Sequence, residues 1–344
     1  MSGVMTGARP APEVLAWSRD LVRPALRAAV ETLPGSVREI AGYHFGWLDE
    51  QGRPAAAGGG KAIRPALVLL AAEAAGGRAA DAVPGAVAVE LVHNFSLLHD
   101  DVMDGDATRR HRPTAWRVFG VSHAILAGDA LLTLAFEVLA DSGHPGMRDA
   151  ARGLAGAVLD LVEGQGADTS FETREEVGLE ECVRMAERKT GALLGGACAL
   201  GALLGGGDAG RVERLRAFGD RLGLAFQFVD DLLGIWGDPT VTGKPTHSDL
   251  RNRKKSLPVV AALSSGTPAG HDLAALYRGE HELDAADLTR AATLIEAAGA
   301  RSWSRTRVDE LFHEALTHLS SADPASRPAA ELHALAHLIA HRDH

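Results

Sequence analysis

Charged side chains are concentrated in residues 97–114, LLHDDVMDGDATRRHRPT, immediately after an apolar stretch. Four aspartates precede three arginines and a histidine there: Asp100, Asp101, Asp104 and Asp106. Residues 83–98 have the composition of a buried helix. Because unpaired charge is costly to bury, carboxylates at the end of such a helix indicate cations bound near them.

A second acidic pair, Asp230 and Asp231, lies in the equally apolar segment AFQFVDDLLGIWGD. On a helix, Asp100 and Asp104 lie about 40° apart and one turn along the same face. Carboxylates in this arrangement suit Mg²⁺, which commonly joins one or two carboxylates to phosphate oxygens. The two clusters therefore predict divalent metal bound together with a multiply anionic ligand.

The alternative interpretation of each cluster is an ordinary acidic surface. The first cluster would then be a helix C-terminus that continues into a solvated loop, although the helix dipole disfavours acids at that end. The second would place adjacent acids on a helix without neighbouring bases and with apolar residues on both sides, such as Phe228 and Leu232. The occurrence of two such clusters favours the metal interpretation.

Basic residues supply the matching positive charge. Lys61 and Arg64, in GGKAIRP, lie three residues apart at the start of a predicted helix, where free backbone amides also attract anions. The segment is not a P-loop, because Ala62 follows the lysine. Arg109 and Arg110 can each make bidentate contacts with phosphate. Further lysines lie on or beside other predicted helices: Lys189, Lys244 and Lys254.

The composition favours an all-α protein. The 344 residues are 46% hydrophobic but only 5% aromatic, and runs of β-branched residues are scarce. A net charge of −10 without a basic stripe argues against nucleic acid as a partner. Cys182 and Cys198 lack metal-site spacing, so no disulfide or zinc site is predicted and a reducing cytoplasm fits. The longest uncharged run, 191–207, is rich in glycine and predicts a close-packed buried helix rather than a transmembrane segment.

Apolar periodicity predicts a chain of helices without an internal repeat or a break in composition. Residues 168–173 are predicted to be a polar separator, and residues 1–12 a flexible tail without the features of a signal peptide. One all-α domain over residues 13–344 is therefore expected. The predicted helices are 12–32, 37–48, 62–75, 83–103, 115–139 with breaks or kinks near Gly120 and Gly128, 148–166, 175–204, 211–236, 257–264, 285–298, 302–319 and 325–340.

Taken in order, these motifs resemble the trans-isoprenyl diphosphate synthases of the polyprenyl synthetase family, most closely its short-chain geranylgeranyl and farnesyl diphosphate synthases. Each motif alone is weak, whereas the ordered set is specific. The set is GGKAIRP, ELVHNFSLLHDDVMD followed by RR, GD at 128–129, GQ at 164–165, KTG at 189–191, FQFVDD at 226–231 and GKPTHSDLRNRKKSLP at 243–258. The resemblance implies a large single-domain helical bundle around a central active-site cavity.

The resemblance also implies a prenyltransferase that condenses isopentenyl diphosphate head-to-tail with an allylic diphosphate, using three Mg²⁺ ions. The metal would be held by Asp100, Asp104 and Asp230, with support from Asp101 and Asp231. The allylic diphosphate would be bound by Arg109, Lys189 and Lys244, with Lys254 beside them. Isopentenyl diphosphate would be bound by Lys61, Arg64, His93 and Arg110. The reacting carbons would be lined by Thr190 and Gln227.

The chemistry of that reaction agrees with the residues present. Mg²⁺ stabilises the departing diphosphate, and an apolar cavity protects the resulting allylic cation from water. The departed diphosphate can accept the proton that is lost at the end, which suits a sequence without a Ser/His/Asp or Cys/His constellation. His93 could instead be an ordinary core histidine.

Three positions depart from the family pattern. Gly234 stands where the second acidic motif usually ends in aspartate, and His111 and Arg253 stand where glycine is usual. The family rule for product length considers the residues four and five positions before the first aspartate, here Ser96 and Phe95. Ser96 is small and Phe95 is bulky. This combination resembles C20 geranylgeranyl synthases, with C15 farnesyl synthases next.

Two other functions remain open from the sequence. A terpene synthase-like enzyme on the same scaffold would ionise a preformed prenyl diphosphate, but it would not need the set formed by Lys61, Arg64 and His93. A non-catalytic subunit that modulates another synthase would be expected to lose metal-binding acids, which this chain retains. A homodimer is the family expectation.

Overall fold

The computed structural model describes residues 7–55, 60, 62–238, 246–279 and 281–341, so that Lys61 and Lys244 lie outside the described residues. Within these ranges the chain is all-α apart from one two-stranded ribbon and an isolated bridge, as the composition predicts. The α-helices are α1 (Ala11–Glu31), α2 (Gly35–His44), α3 (Ile63–Ala74), α4 (Val83–Met103), α5 (Ala115–Phe119), α6 (Val121–Ala140), α7 (Met147–Thr173), α8 (Leu179–Ala186), α9 (Ala192–Leu204), α10 (Ala209–Trp236), α11 (Ser248–Arg251), α12 (Leu257–Leu263), α13 (Pro268–Arg278), α14 (Ala285–Ala297), α15 (Ala300–Ser321) and α16 (Ser326–Ala340).

The chain divides into two compact units. The first consists of Met1–Val158, Leu193–Gly219 and His318–Leu335. The second consists of Leu159–Ala192, Asp220–Thr317 and Ala336–His344. The assignment of residues 13–344 to a single domain therefore stays a prediction, and each unit is described by itself.

Glycine allows helices of the first unit to approach at backbone distance. A Cβ at Gly201 of α9 would lie 2.1 Å from the Val68 carbonyl oxygen of α3, and one at Gly205 would lie 2.4 Å from the Ala72 carbonyl oxygen. No other residue fits at such contacts. The prediction that the glycine-rich run forms a close-packed buried helix is confirmed over α9.

The sequence was right about the break at Gly120 and wrong about the one near Gly128 and about the polar separator. Gly120 has φ +90°, which ends α5 and begins α6, whereas α6 continues through Gly128. Residues 168–173 are helical, because α7 runs through them to Thr173. Phe171 is fully buried there and Asp168 has a lysine partner, while the other four residues of the segment are exposed.

In the first unit, α2 ends at His44, four residues before its predicted end. The second unit contains further differences from the predicted helices. Residues predicted as one helix over 175–204 include a π-helical turn, Glu187–Gly191, between α8 and α9. Helices α11 and α13 were not predicted. A buried cluster of this unit, which includes Ile235, Leu250 and Ile295, joins the end of α10 to the helices that follow it in sequence.

Two further sequence predictions concern the N-terminus and membranes. Helix α1 begins at Ala11, within the predicted tail, and Arg9 makes a 2.6 Å ion pair with Glu331, while residues 1–6 lie outside the described part. Among the described residues, one helix, α6, is long and apolar enough to cross a membrane by length and composition alone.

Candidate active site

The first acidic cluster is built at the C-terminal end of α4. Asp100 and Asp101 lie in its last turn, and Asp104 follows its final residue with helical dihedral angles, so that Asp100 and Asp104 are one turn apart as predicted. Asp104 is exposed, whereas Asp101 is only 2% exposed. Asp100 is half-buried, so the adjacent pair combines a partly accessible carboxylate with a buried one.

Asp101 is held by the arginine that follows it in the charged loop. The Nε of Arg109 donates a 2.6 Å hydrogen bond to Asp101 Oδ1, while Asp101 Oδ2 is buried without a protein hydrogen-bond partner. Burial raises the pKa of Asp101 to about 6, against the opposing charge of Arg109. The arginine predicted to bind the allylic diphosphate therefore also neutralises the buried acid of this motif.

A tight hairpin turn presents the paired arginines. Strands β1 (Thr108–Arg109) and β2 (Arg112–Pro113) pair with Arg109 opposite Arg112, so that only Arg110 and His111 form the loop. Both loop residues have positive φ, 52° and 62°. A two-residue loop with two positive φ angles is a type I′ turn, in which glycine is favoured at the second position. A histidine at this position, where the family pattern has glycine, therefore strains the backbone of the turn.

The residues predicted to bind isopentenyl diphosphate also lie near one another in the first unit. Arg64 Nη1 lies 3.2 Å from His93 Nε2. The guanidinium of Arg110 lies over Gly60, where a Cβ would approach its Nη2 to 2.8 Å. Burial and then the charges of Arg64 and Arg110 hold the pKa of His93 well below its usual range, so His93 is neutral beside these cations.

His44 belongs to the same basic region and was not predicted. Burial and the charges of Arg110 and Arg109 lower its pKa to about 3, and its Nε2 is buried without a hydrogen-bond partner. A cavity of about 30 Å³ is lined by His44, Asp101 and both of these arginines. The sequence carries no signal for it, because His44 lies more than fifty residues before the charged loop.

The two residues predicted to limit product length are buried in α4. Ser96 donates a 2.8 Å hydrogen bond from Oγ to the His93 carbonyl oxygen. Phe95 packs edge-to-face on His99 with 4.8 Å between the ring centroids, and His99 fills the space beside Gly128 of α6. The ring of Phe95 is therefore packed against a second ring, that of His99. The role of Phe95 in chain length stays a prediction.

The second acidic cluster lies near the end of α10 and repeats the division of the first. Asp230 is exposed and Asp231 is 3% exposed. Asp231 accepts hydrogen bonds from Gln227 Nε2 at 2.7 Å and from the backbone N–H of Leu257 at 2.8 Å. Gln227 Oε1 in turn accepts a 2.5 Å hydrogen bond from Thr190. Burial raises the pKa of Asp231 to about 7.

Two lysines accompany this cluster within the second unit. Lys189, in the π-helical turn, makes a 2.5 Å ion pair with Asp168 of α7. Lys254 is buried, and although burial opposes it, surrounding carboxylates raise its pKa; they are Asp168, Asp249, Asp231 and Asp230. The structure thus brings together Lys189, Lys254, Thr190, Gln227 and Asp231, all predicted from the sequence.

Asp168 and Gln165 were missed as site residues, although the GQ motif pointed to their helix. Gly164 permits the approach of the π-helical turn, since a Cβ there would lie 2.3 Å from the Lys189 nitrogen. Gln165 is buried with neither side-chain polar atom hydrogen-bonded by the protein. A buried amide with no partner is costly, so Gln165 indicates a further polar group at this position.

The residues present fit divalent metal only in combination with a ligand. Among the described residues, no group of three or more His, Cys, Asp or Glu side chains forms a ready metal site. Each cluster instead places a more accessible carboxylate beside a buried acid whose pKa is raised by burial. Mg²⁺ is commonly bound by one or two carboxylates, substrate phosphate and water, which matches this donor set. Because the clusters lie in different units, their sharing of one ligand stays a prediction.

Comparison with known proteins identifies the family of the chain. The family model described as polyprenyl synthetase matches residues 46–295. The chain belongs to the polyprenyl synthetase family. It is 49% identical to the (2E,6E)-farnesyl diphosphate synthase of Mycobacterium tuberculosis over 332 residues, which is 96% of this chain and 92% of that relative.

Two further members of the polyprenyl synthetase family are similar over nearly the whole length. A geranylgeranyl diphosphate synthase of Mycobacterium tuberculosis is 47% identical over 326 residues, covering 93% of this chain and 91% of the relative. The crystal structure of a polyprenyl synthetase from Streptomyces coelicolor A3(2) is 48% identical, with a TM-score of 0.92 and coverage of 96% and 99%. The resemblance stated from the motifs is confirmed.

Proposed function

We propose that this polyprenyl synthetase condenses isopentenyl diphosphate with an allylic diphosphate to give a short-chain prenyl diphosphate. The observation that carries the proposal is the contact between Arg64 and His93 in the unit that also contains Asp100. A second cationic site beside a metal-binding motif supports two diphosphate substrates. An enzyme that only ionises a preformed prenyl diphosphate has no use for it.

In the proposed reaction the allylic C–O bond breaks and the double bond of isopentenyl diphosphate forms a new C–C bond. A proton is then lost, and the released diphosphate is its acceptor. Arg64, His93 and Arg110, with Lys61, hold isopentenyl diphosphate. Neutral His93 donates or accepts a hydrogen bond without adding charge, which leaves the arginines to supply the attraction.

The proposal assigns the allylic diphosphate to four cationic residues and the reacting carbons to two polar ones. Lys189 and Lys254, with Arg109 and Lys244, bind the allylic diphosphate as it leaves. Thr190 and Gln227 form one hydrogen-bonded row with Asp231, which fixes their positions beside the reacting carbons. Because a buried carboxylate holds these polar side chains, they keep their geometry during the reaction. Groups that are held in the reactive geometry beforehand increase the rate.

The proposed cofactor is Mg²⁺, with three ions held by Asp100, Asp104 and Asp230. When bound, Mg²⁺ supplies charge neutralisation of the leaving diphosphate. Asp101 and Asp231 support the accessible acids beside them.

Product analysis tests the proposal. Purified protein is incubated with isopentenyl diphosphate and C5, C10 or C15 allylic primers, with Mg²⁺ or with EDTA. Longer prenyl diphosphates are expected only with both substrates and Mg²⁺. A hydrocarbon formed from geranylgeranyl diphosphate alone would instead identify a terpene synthase-like enzyme. Product formation that survives Arg64→Ala unchanged would contradict the assigned isopentenyl diphosphate site.

We propose C20 as the main product, with C15 next, and the two similar relatives include one synthase of each kind. Phe95, supported by His99, is the proposed floor of the chain-elongation cavity. Phe95→Ala should lengthen the products, while Ser96→Phe should shift them to C15. Ser96→Ala is the matched control, since it changes no volume, and unaltered products from Phe95→Ala would exclude this floor.

A homodimer in the cytoplasm is the proposed state of the protein. Helix α6 exposes three large apolar side chains in the isolated chain, Val121, Ile125 and Leu126 at 46%, 38% and 57%. Val121 and Ile125, four residues apart, lie on one face of the helix, and Leu126 follows Ile125 on the adjoining face. Burial of these side chains against a second copy would explain the helix's apolarity. Light scattering should give twice the chain mass, and Leu126→Glu should give the monomer.

A further inference from the structure

At Gly234, in the second acidic motif, the carboxylate of Asp249 occupies the space that a side chain would fill. A Cβ at Gly234 of α10 would lie 2.3 Å from Asp249 Oδ2, 2.6 Å from its Cγ and 2.9 Å from its Oδ1. Real Cβ atoms do not approach other atoms so closely. Glycine at 234 is therefore required for Asp249 to stand where it does.

Helix geometry relates this carboxylate to the acids of α10. Residues 230 and 234 are four apart, so their Cβ atoms lie on one face and one turn from each other. The carboxylate of Asp249 occupies the second of these places, and Asp230 projects from the first. Two carboxylates thus follow each other along one face, as Asp100 and Asp104 do at the end of α4.

The backbone holds Asp249 at this place through the segment that also carries Lys254. The Lys254 N–H donates a 2.9 Å hydrogen bond to the Asp249 carbonyl oxygen, and Ser248 Oγ donates to Asp249 Oδ1 at 3.3 Å. Leu250, the next residue, is fully buried. One short backbone segment therefore holds both Asp249 and Lys254 against the end of α10.

We propose that Asp249 is a positioning residue that supplies the third carboxylate of the second acidic motif, entering from α11 through the gap left by Gly234. Its charge lies beside Asp230 and Lys254 and favours cations on this face. The inference rests on the proposed function, because it concerns the site that binds metal and diphosphate. It also accounts for the departure of Gly234 from the family pattern without loss of an acid.

The test moves the carboxylate from one chain position to the other. Asp249→Ala removes it, Gly234→Ala displaces it by steric conflict, and the double variant Gly234→Asp/Asp249→Ala returns it on α10. Asp272→Ala, which removes an exposed acid from α13 in the same unit, is the charge control. Calorimetry measures binding of Mg²⁺ to each protein in the presence of inorganic pyrophosphate, independently of turnover.

Asp249→Ala and Gly234→Ala should each weaken Mg²⁺ binding about tenfold, the usual cost of losing a group that orients metal ligands. The double variant should recover to within about threefold of wild type, and Asp272→Ala should equal wild type. Asp249→Asn, which keeps the shape, should behave as Asp249→Ala does and guards against loss through misfolding. Circular dichroism confirms that each protein compared is folded.

Wild-type affinity in both Asp249→Ala and Asp249→Asn would overturn the inference, as would a folded double variant no better than Asp249→Ala. These outcomes leave the proposed function intact, provided that the wild type binds Mg²⁺ with pyrophosphate and elongates primers. Failure of the wild type in both assays would refute the proposed function itself.

Discussion

The two acidic motifs each contain a buried aspartate, and they stabilise it with different partners. Each pairs a more accessible aspartate with a buried neighbour, Asp100 with Asp101 and Asp230 with Asp231. Asp101 is neutralised by the guanidinium of Arg109, whereas Asp231 accepts hydrogen bonds from neutral donors. The comparison teaches that the buried acid positions the motif and that the means of stabilising it can differ.

The accessible acids should dominate activity. Asp100→Ala and Asp230→Ala should each lower kcat/KM about 10³-fold, since each removes several kcal/mol of metal-assisted stabilisation of the leaving group. Steady-state kinetics with saturating Mg²⁺ measures the loss. Glu180→Ala in α8, an exposed acid distant in sequence from both motifs, serves as control. A loss confined to one of the two variants would break the proposed equivalence of the motifs.

The buried acids should differ in their effect on stability. Asp101→Ala removes the acceptor of the hydrogen bond that Arg109 Nε donates, so a charged donor loses its partner, and it should lower the free energy of unfolding by about 1–3 kcal/mol. Asp231→Ala should cost less, because the donors that lose their acceptor there, Gln227 and the Leu257 N–H, are neutral. Urea denaturation of the metal-free protein at pH 5, below both raised pKa values, compares the two variants. Equal losses would contradict the distinction between charged and neutral partners.

The pH dependence should separate the same two residues. Both pKa values are raised above the ordinary 3.8, Asp101 to about 6 and Asp231 to about 7. The folded protein then keeps protons that the unfolded chain has lost, so stability falls as pH rises from about 4 through these values. Asp231→Asn should remove the fall between pH 6 and 7 and about half of the fall below pH 6, whereas Asp101→Asn should remove only the other half of the fall below pH 6.

The control for this prediction is Ser170→Ala, an exposed position in α7, which changes no ionisable group and should leave the slope of stability against pH unchanged. Unfolding of the metal-free protein is followed at half-unit steps from pH 5 to pH 8. A slope that is flat in the wild type would show that neither buried acid retains its proton.

The smallest effects are expected at the two positions where glycine is usual. His111 has φ +62° and Arg253 has φ +48°, in the left-handed region that costs other residues about 1 kcal/mol. His111→Gly should raise the free energy of unfolding by up to about 1 kcal/mol. Arg253→Gly should gain less, because Arg253 Nη2 donates a 2.5 Å hydrogen bond to the His281 carbonyl oxygen.

Thermal denaturation checks both changes. Gly143→Ala is the opposite control and should lower stability. Gly143 has φ +67° and a Cβ there meets no atom within 4 Å, so this substitution adds only backbone strain. A loss of stability in His111→Gly would mean that the imidazole makes a contribution larger than the strain of the turn.

The sequence by itself determined the helical class, the helix over Val83–Met103, the break at Gly120 and the order of the motifs. These features depend on local periodicity and backbone preference, which neighbouring residues express directly. It also located Arg64 with His93 and Lys189 with Thr190 and Gln227 in one site each, through the family resemblance.

Only the tertiary structure decided which polar residues are buried and what they contact. It made residues 168–173 part of a helix, because Lys189 neutralises Asp168 there, and it brought His44 to the paired arginines. It also placed Asp249 in the gap at Gly234. Such pairings join residues far apart in sequence, and their energy comes from burial and charge that exist only after the chain has folded.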